Sequence, residues 1–210
     1  MHEEAVRFVK ESTKDTFRAE QTSQVYDVNG TRIMSLRGTK DVSYLTSDEI
    51  PEEVKEAMAD QPVTFVLQKE QKGTGHAVQQ ALEAINPDEP TLILYGDVPL
   101  ISTETLSALE KTAGDGFALL TIDLDNPKGY GRILREDGKV IGIVEEKDAS
   151  EQQRAIKEVN TGFMVLPSKE MKRWLGSLKN DNKQQEYYLT DLIDIAAKEG
   201  RTIKSLKAAY

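Results

Sequence analysis

The chain has 210 residues, with 36 Asp and Glu against 27 Lys and Arg and a formal net charge of −9. That balance argues against an extended nucleic-acid footprint, yet a small anionic substrate stays open where a metal or a few lysines reverse the potential in one cleft. With no cysteine and only two histidines, disulfides, thiolate catalysis and Cys-based zinc sites are excluded, and neither His2 nor His76 has the surroundings of a Ser-His-Asp triad. No apolar run approaches membrane-spanning length and no signal peptide opens the chain, so a cytoplasmic protein of one domain, or one domain plus a small appendage, is expected.

The first sixty or so residues form a different kind of sequence from the rest. Glu3 to about Glu20 predicts a weak helix, since its second half, Ser12-Thr13-Lys14-Asp15-Thr16, is too polar to hold one well. Val25-Tyr26-Asp27-Val28 and Thr31-Arg32-Ile33-Met34 flank Asn29-Gly30, a strong hairpin signal. Val42-Ser43-Tyr44-Leu45 predicts another strand, and Ser47 or Asp48 caps a helix through Pro51 to Met58. Residues 1–50 therefore form an atypical N-terminal segment, set apart from 51–210.

From Val63 the chain alternates strand and helix. Val63 to Leu67 is a β-branched strand, followed by Gly73-Thr74-Gly75, a tight turn that opens a helix from about His76 to Ala84. A helix start with exposed amides suits an anion or a polar ring edge, although simple turn chemistry explains Gly-Thr-Gly as often. Thr91 to Leu94 is a short apolar run that predicts a buried strand, ending at Tyr95-Gly96-Asp97 before Pro99 forbids further pairing. An acidic residue at the carboxyl end of such a strand is where open α/β sheets bind ligands, and one carboxylate there can hold a Mg²⁺ that bridges to phosphates. The bland alternative is that Asp97 caps a turn. A helix from about Ser102 to Ala113 and a third strand, Phe117 to Ile122, complete an alternation that implies an α/β fold with a Rossmann-like, mixed and mostly parallel sheet.

Beyond it, Asn126 to Arg132 is a glycine-rich loop with two cations. Arg132-Ile133-Leu134 and Val140 to Val144 flank Asp137-Gly138 and predict an inserted hairpin. A polar stretch from Ala149, helical at first, leads to Glu158 to Val165. A helix from about Ser168 to Leu178 carries Trp174. The last helix opens at Glu186 to Asp191, carries Leu192, Ile193, Ile195 and Ala196 on its apolar side, stops at Gly200, and precedes a terminal strand over 202–206.

Several of these pieces resemble, in order, the uridylyltransferase half of bacterial bifunctional N-acetylglucosamine-1-phosphate uridylyltransferase/glucosamine-1-phosphate acetyltransferase. They are Gln68 with Gln71 to Ala77, Leu94 to Leu100, Gly129 to Ile133, Val144 to Ala149, Asn160-Thr161-Gly162 and Glu186 to Asp191, together covering about 63–208. The resemblance implies a nucleotide-sugar transferase fold whose hairpin belongs to the sugar-binding part. It also implies uridylyl transfer from UTP to N-acetylglucosamine 1-phosphate, with small-molecule substrates and neither nucleic acid nor membrane as partner. By position, Gln68, Gly73 and Thr74 resemble residues that face the uracil. Tyr95, Gly96 and Asp97 resemble those at the phosphates, with Asp97 as catalytic residue and Mg²⁺ ligand. Gly131, Glu145 and Asn160 resemble sugar-binding residues, where a bland reading gives a solvated hairpin end and a strand-end turn.

The match also has a departure. The family opens with a loop reading approximately Leu-Ala-Ala-Gly-x-Gly-Thr-Arg-Met, which is not found in residues 1–62. Its second metal-binding asparagine and its trimer-forming β-helix domain are not in the sequence either, so a β-helix-mediated oligomer is not expected. The alternatives to an active transferase are a degenerate module that holds a nucleotide sugar without making it, and an incomplete fragment. A segment within 22–46 is expected to pair with the sheet in place of the missing loop-bearing strand.

Overall fold

The computed structural model describes residues 22–26, 32–37, 42–47, 59, 63–95 and 101–208. The chain falls into two compact units, the first Met1–Glu70 with Tyr95–Leu106, the second Gln71–Leu94 with Ser107–Tyr210. The helices expected over 3–20 and 51–58 lie outside the described residues, as do Gly96 and Asp97.

In the first unit, β1 (Thr22–Tyr26) and β2 (Arg32–Arg37) pair antiparallel, as the hairpin signal predicts. The ladder closes at Tyr26 and Arg32, wider than a two-residue Asn-Gly connection, and the register shifts between Val25 and Tyr26. β3 (Val42–Ser47) pairs in parallel with β4 (Val63–Gln68), from Val42 opposite Val63 to Ser47 opposite Gln68. A strand from the expected segment thus pairs with the strand at Val63, but among the described residues the two form a two-stranded sheet of their own, with no ladder to the six-stranded sheet of the second unit.

The second unit is built on one mixed sheet. β5 (Thr91–Ile93), β6 (Phe117–Asp123), β7 (Arg132–Glu136), β8 (Lys139–Val144), β9 (Glu158–Leu166) and β10 (Ile203–Lys207) run in the order β10-β6-β9-β7-β8, with β5 also on β9. β5, β6 and β10 share one direction, because β10 is parallel to β6 while β5 and β6 are both antiparallel to β9. β5 and β6 are the second and third strands of the alternation read from sequence, whereas the first, β4, is laddered with β3 in a sheet of its own among the described residues; β9 is the reversed strand, returning after the inserted β7–β8 hairpin. β5 is half-buried rather than buried, since among the described residues it has β9 alone as a ladder partner.

Because Met164 and Val165 pair with β6 and also with β5, those two strands lie on opposite edges of β9. On the β5 edge, the beginning of β9 pairs instead with β7, through Val159 and Arg132. The register against β6 slips between Leu119 and Thr121, where Thr161, Gly162 and Phe163 bulge, with Gly162 at φ +88°. Thr161 Oγ1 donates to Leu120 O at 2.8 Å and Asn160 Oδ1 accepts from Gly162 N at 3.2 Å, so the displaced polar groups find partners.

The helices pack by apolar spacing. α1 (Thr74–Ala81) continues into a 3₁₀ turn over Leu82–Ala84, and α2 (Thr103–Ala113) buries Leu109 and Ala113. α3 (Glu151–Arg154) is short and begins on a capping box between Ser150 and Gln153. α4 (Ser168–Gly176) buries Met171, Trp174 and Leu175, and α5 (Asp191–Lys198) buries Leu192, Ile193 and Ala196, the i, i+3, i+4 stripe of a core-facing helix. α4 lies against α1 and α5, and α5 against β8 and β10. α5 ends at Gly200, where Arg201 N donates to Ala196 O at 3.0 Å in a Schellman closure.

The β7–β8 turn is the two-residue Asp137-Gly138 connection expected, with φ 48° and 78° and Glu136 paired to Lys139. A side chain at Gly138 meets nothing within 4 Å, so its cost is purely conformational. Gly138→Ala is expected to destabilise the chain by about 1 kcal/mol in chemical denaturation, and Gly138→Asn by less, because Asn tolerates this region.

Candidate functional site

One strap of chain, Tyr187 to Thr190, joins the two groups of residues singled out in the second unit. On one side it holds the turn before α1. Tyr187 N donates to Lys72 O at 2.8 Å, Gly75 N donates to Tyr187 O at 2.8 Å, and Leu189 N donates to Thr74 Oγ1 at 3.1 Å. Gly73 lies at φ +99°, and a Cβ there would stand 2.7 Å from Tyr187 O, so glycine is required by contact as well as by backbone angle. Thr74 is exposed, and its hydroxyl, accepting from Leu189, keeps its own proton to donate.

On the other side of the strap Thr190, 3% exposed, donates from Oγ1 to Glu145 Oε1 at 2.8 Å. Glu145 follows the last residue of β8. A Cβ on Gly131 would stand 3.3 and 3.4 Å from the Glu145 carboxylate oxygens and 2.9 Å from Ile143 Cγ2. Gly131 O accepts from Asn160 N at 2.9 Å, and Asn160 is 8% exposed at the β9 bulge. Gly131, Glu145 and Asn160, far apart in sequence, therefore meet in one cradle at the gap between β7 and β5. Asn160 Oδ1 is taken by Gly162 N, leaving Nδ2 as the side-chain donor.

The cradle is acidic. Burial pushes the Glu145 carboxyl up; the Thr190 hydrogen bond opposes this and the Asp148 charge adds to it. Asp191 is pushed up to about 6, first by burial and then by Asp194, Glu145 and Asp148, with Lys198 acting against the shift. Burial also raises Asp194, whose Oδ1 has no hydrogen-bond partner among the described residues. Tyr188 is raised chiefly by burial; its hydroxyl accepts from Gln184 Nε2 at 2.8 Å and donates to Asp148 Oδ2 at 3.3 Å. Among the described residues no group of three or more His, Cys, Asp or Glu is placed to hold a metal ion, and no helix is long and apolar enough to cross a membrane.

Of the other residues singled out, Gln68 ends β4 in the first unit and is 7% exposed, and Tyr95 is half-buried in that unit. Asp148, Thr190 and Asp191 lie within motifs that carry the resemblance but were given no role at the site, and Asp194 was not singled out at all. The available signal was the pair of acids at i and i+3 on α5, next to the threonine that precedes it.

The fold is shared with solved transferases of nucleotide sugars. A protein assigned as a glucose-1-phosphate thymidylyltransferase from Bacillus anthracis, solved with sucrose, superposes with a TM-score of 0.63 at 16% identity, over 80% of this chain and 67% of that one. A UDP-glucose pyrophosphorylase solved with UDP-glucose gives 0.55 at 19% identity, over 75% and 63%. The chain belongs to the nucleotidyl transferase family, whose model matches residues 10–209, thus reaching into the N-terminal stretch where no motif was read. It is 55% identical over 155 residues to the bifunctional protein GlmU of Thiobacillus denitrificans, a match that takes in 73% of this chain but 34% of that protein.

Because burial and three neighbouring carboxylates hold Asp191 above its ordinary 3.8, folding disfavours its ionised form, and its contribution to stability falls as pH rises through about 6. Asp191→Asn is expected to raise the melting temperature near neutral pH and to lose that advantage by about pH 4, checked by thermal scans across the range.

Proposed function

We propose that this chain carries out uridylyl transfer from UTP to N-acetylglucosamine 1-phosphate, giving UDP-N-acetylglucosamine and pyrophosphate. The observation that carries the reading is the cradle of Gly131, Glu145 and Asn160, tied by the Tyr187–Thr190 strap to the Gly73-Thr74 turn. The high identity to GlmU over 155 residues supports it.

In this reading Glu145 accepts from sugar hydroxyls through Oε2, since Oε1 is engaged by Thr190. Asn160 donates from Nδ2 to a sugar or N-acetyl oxygen, and Gly131 allows the ring to approach the backbone closely. Gln68, Gly73 and Thr74 read the polar edge of the uracil, and Tyr95, Gly96 and Asp97 serve the phosphates. An oxygen of the sugar phosphate attacks the α-phosphorus of UTP, one P–O bond forms, and the bond to pyrophosphate breaks. The attacking group is already ionised, so no general base is needed, and the side chains act by positioning. Mg²⁺, when bound, supplies neutralisation of the phosphate charge, and Asp97 is the residue proposed to hold it. Such chemistry fits a cytoplasmic supply of precursor for cell-wall peptidoglycan.

The test is product formation from UTP, N-acetylglucosamine 1-phosphate and Mg²⁺, followed by chromatography, with calorimetry of UDP-N-acetylglucosamine beside it. Wild-type turnover is expected, with Glu145→Gln and Asn160→Ala each lowering kcat/KM for the sugar phosphate by roughly 10- to 100-fold, the worth of one lost buried hydrogen bond. Binding without product would favour a nucleotide-sugar-holding module, the reading that the unmatched N-terminal loop supports. Neither binding nor product would overturn both.

A further inference from the structure

Glu145 and Glu146 are neighbours, yet their carboxylates meet opposite surroundings. Glu145 turns toward Thr190 and Gly131, whereas Glu146 turns toward the glycine-rich loop before β7. Glu146 Oε2 accepts from Arg132 Nη2 at 2.5 Å and from Gly129 N at 3.3 Å. Arg154 Nε donates to Glu146 O at 3.2 Å and stands 3.6 Å from its Oε1. Arg132 is 1% exposed; its Nη1 donates to Tyr130 O, and its Nη2 reaches Arg154 O at 3.4 Å. Among the described residues its Nε has no partner. A guanidinium so buried is costly unless a carboxylate meets it, and among the described residues the one that does is Glu146. The Arg132 hydrogen bond correspondingly holds the Glu146 carboxyl below the ordinary range.

Among the described residues, the loop is otherwise tied to the sheet at Gly131, whose O accepts from Asn160 N at 2.9 Å. Within it, Tyr130 N donates to Pro127 O at 3.2 Å and Lys128 N to Asn126 Oδ1 at 3.4 Å, neither of which fixes it to the sheet. One carboxylate therefore grips the loop at Gly129 and the first residue of β7 at Arg132. Between those two grips lies Gly131, whose O accepts from Asn160 N and where an added Cβ would stand 3.3 Å from the Glu145 carboxylate. We infer that Glu146 is a positioning residue for sugar specificity: through Arg132 and Gly129 it fixes the distance between the Gly131 backbone and the Glu145 carboxylate. This rests on the nucleotide-sugar reading above. Glu146 touches the loop and not the ligand, so its removal loosens recognition of the sugar while the nucleotide end is unaffected.

The experiment measures affinities of the full chain for UDP-N-acetylglucosamine and for UDP, together with amide hydrogen exchange over 126–132. Glu146→Ala is expected to weaken UDP-N-acetylglucosamine about tenfold, to leave UDP within about twofold, and to speed exchange at Gly129 and Gly131. Glu146→Gln, which keeps an acceptor for Gly129, should fall between. Should Glu146→Ala not fold because Arg132 is left unpaired, the double variant Arg132→Met with Glu146→Ala removes both charges and should show the same selective loss. An unchanged affinity ratio in a folded variant, or equal loss of both ligands, overturns the positioning role. Wild-type protein that binds UDP but not UDP-N-acetylglucosamine overturns the sugar reading and the specificity role with it. Loop exchange needs no ligand, so it separates that failure from failure of the clamp alone, which unchanged exchange in Glu146→Ala would establish.

Discussion

β9 has to serve three neighbours with two edges. β6 occupies one edge along most of its length, while the other edge is passed from β7 at Val159 to β5 at Met164. A strand cannot change partner without leaving backbone groups unpaired at the hand-over, and an unpaired buried amide is expensive. The bulge at Thr161–Gly162 and the bonds around it are the local solution, and they fix Asn160 N on Gly131 O and Asn160 Oδ1 on Gly162 N. The asparagine that stands in the cradle is thus held there by the geometry of the sheet. The hairpin inserted between β6 and β9 delivers Gly131 and Glu145 to the same hand-over, one from each end.

This arrangement accounts for which parts of the chain could be read without coordinates. Period and turn chemistry carry local information, and they were sufficient for β6, for the β7–β8 hairpin with its Asp137-Gly138 turn, for the existence of α4, and for the apolar stripe of α5 apart from Ile195, which is only half-buried. The reversal of β9 is a property of topology: its residues 158–165 read as a strand, but nothing in them says which way the strand enters the sheet. The cradle was legible only through the order of several motifs together. Taken singly, Glu145 and Glu146 read as a wet hairpin end and Asn160 as a turn, because the contacts that give them meaning come from residues 131 and 190, well away in the chain. Thr190 read as the start of an amphipathic helix and as part of the Glu186–Asp191 motif, with no sign that it holds Glu145.

The electrostatics of the second unit divide along the same line. Glu145, Asp148, Asp191 and Asp194 crowd one face, and each of Glu145, Asp191 and Asp194 is held toward its protonated form by burial. Such a face repels phosphate and suits a neutral polyol, whose hydroxyls donate to carboxylates. Of the nearby cations, Arg132 is neutralised by Glu146 and Lys147 is tied to Gln184, while Lys198 offsets part of the charge at Asp191 and Asp194.

Trp174 is the single indole of the chain, wholly enclosed, with its ring 6.1 Å from that of Phe117 and its Nε1 donating to Glu199 Oε2 at 3.1 Å. Glu199 is in turn drawn down to about 2 by Arg173 and by that same indole hydrogen bond. The second unit consequently carries its own optical probe. Fluorescence excited at the indole reports on the packing of α4 over β6 and on the tail of α5, with no competing signal from any other tryptophan. It monitors integrity of the scaffold while leaving the Gly131–Asn160 cradle to be watched by other means.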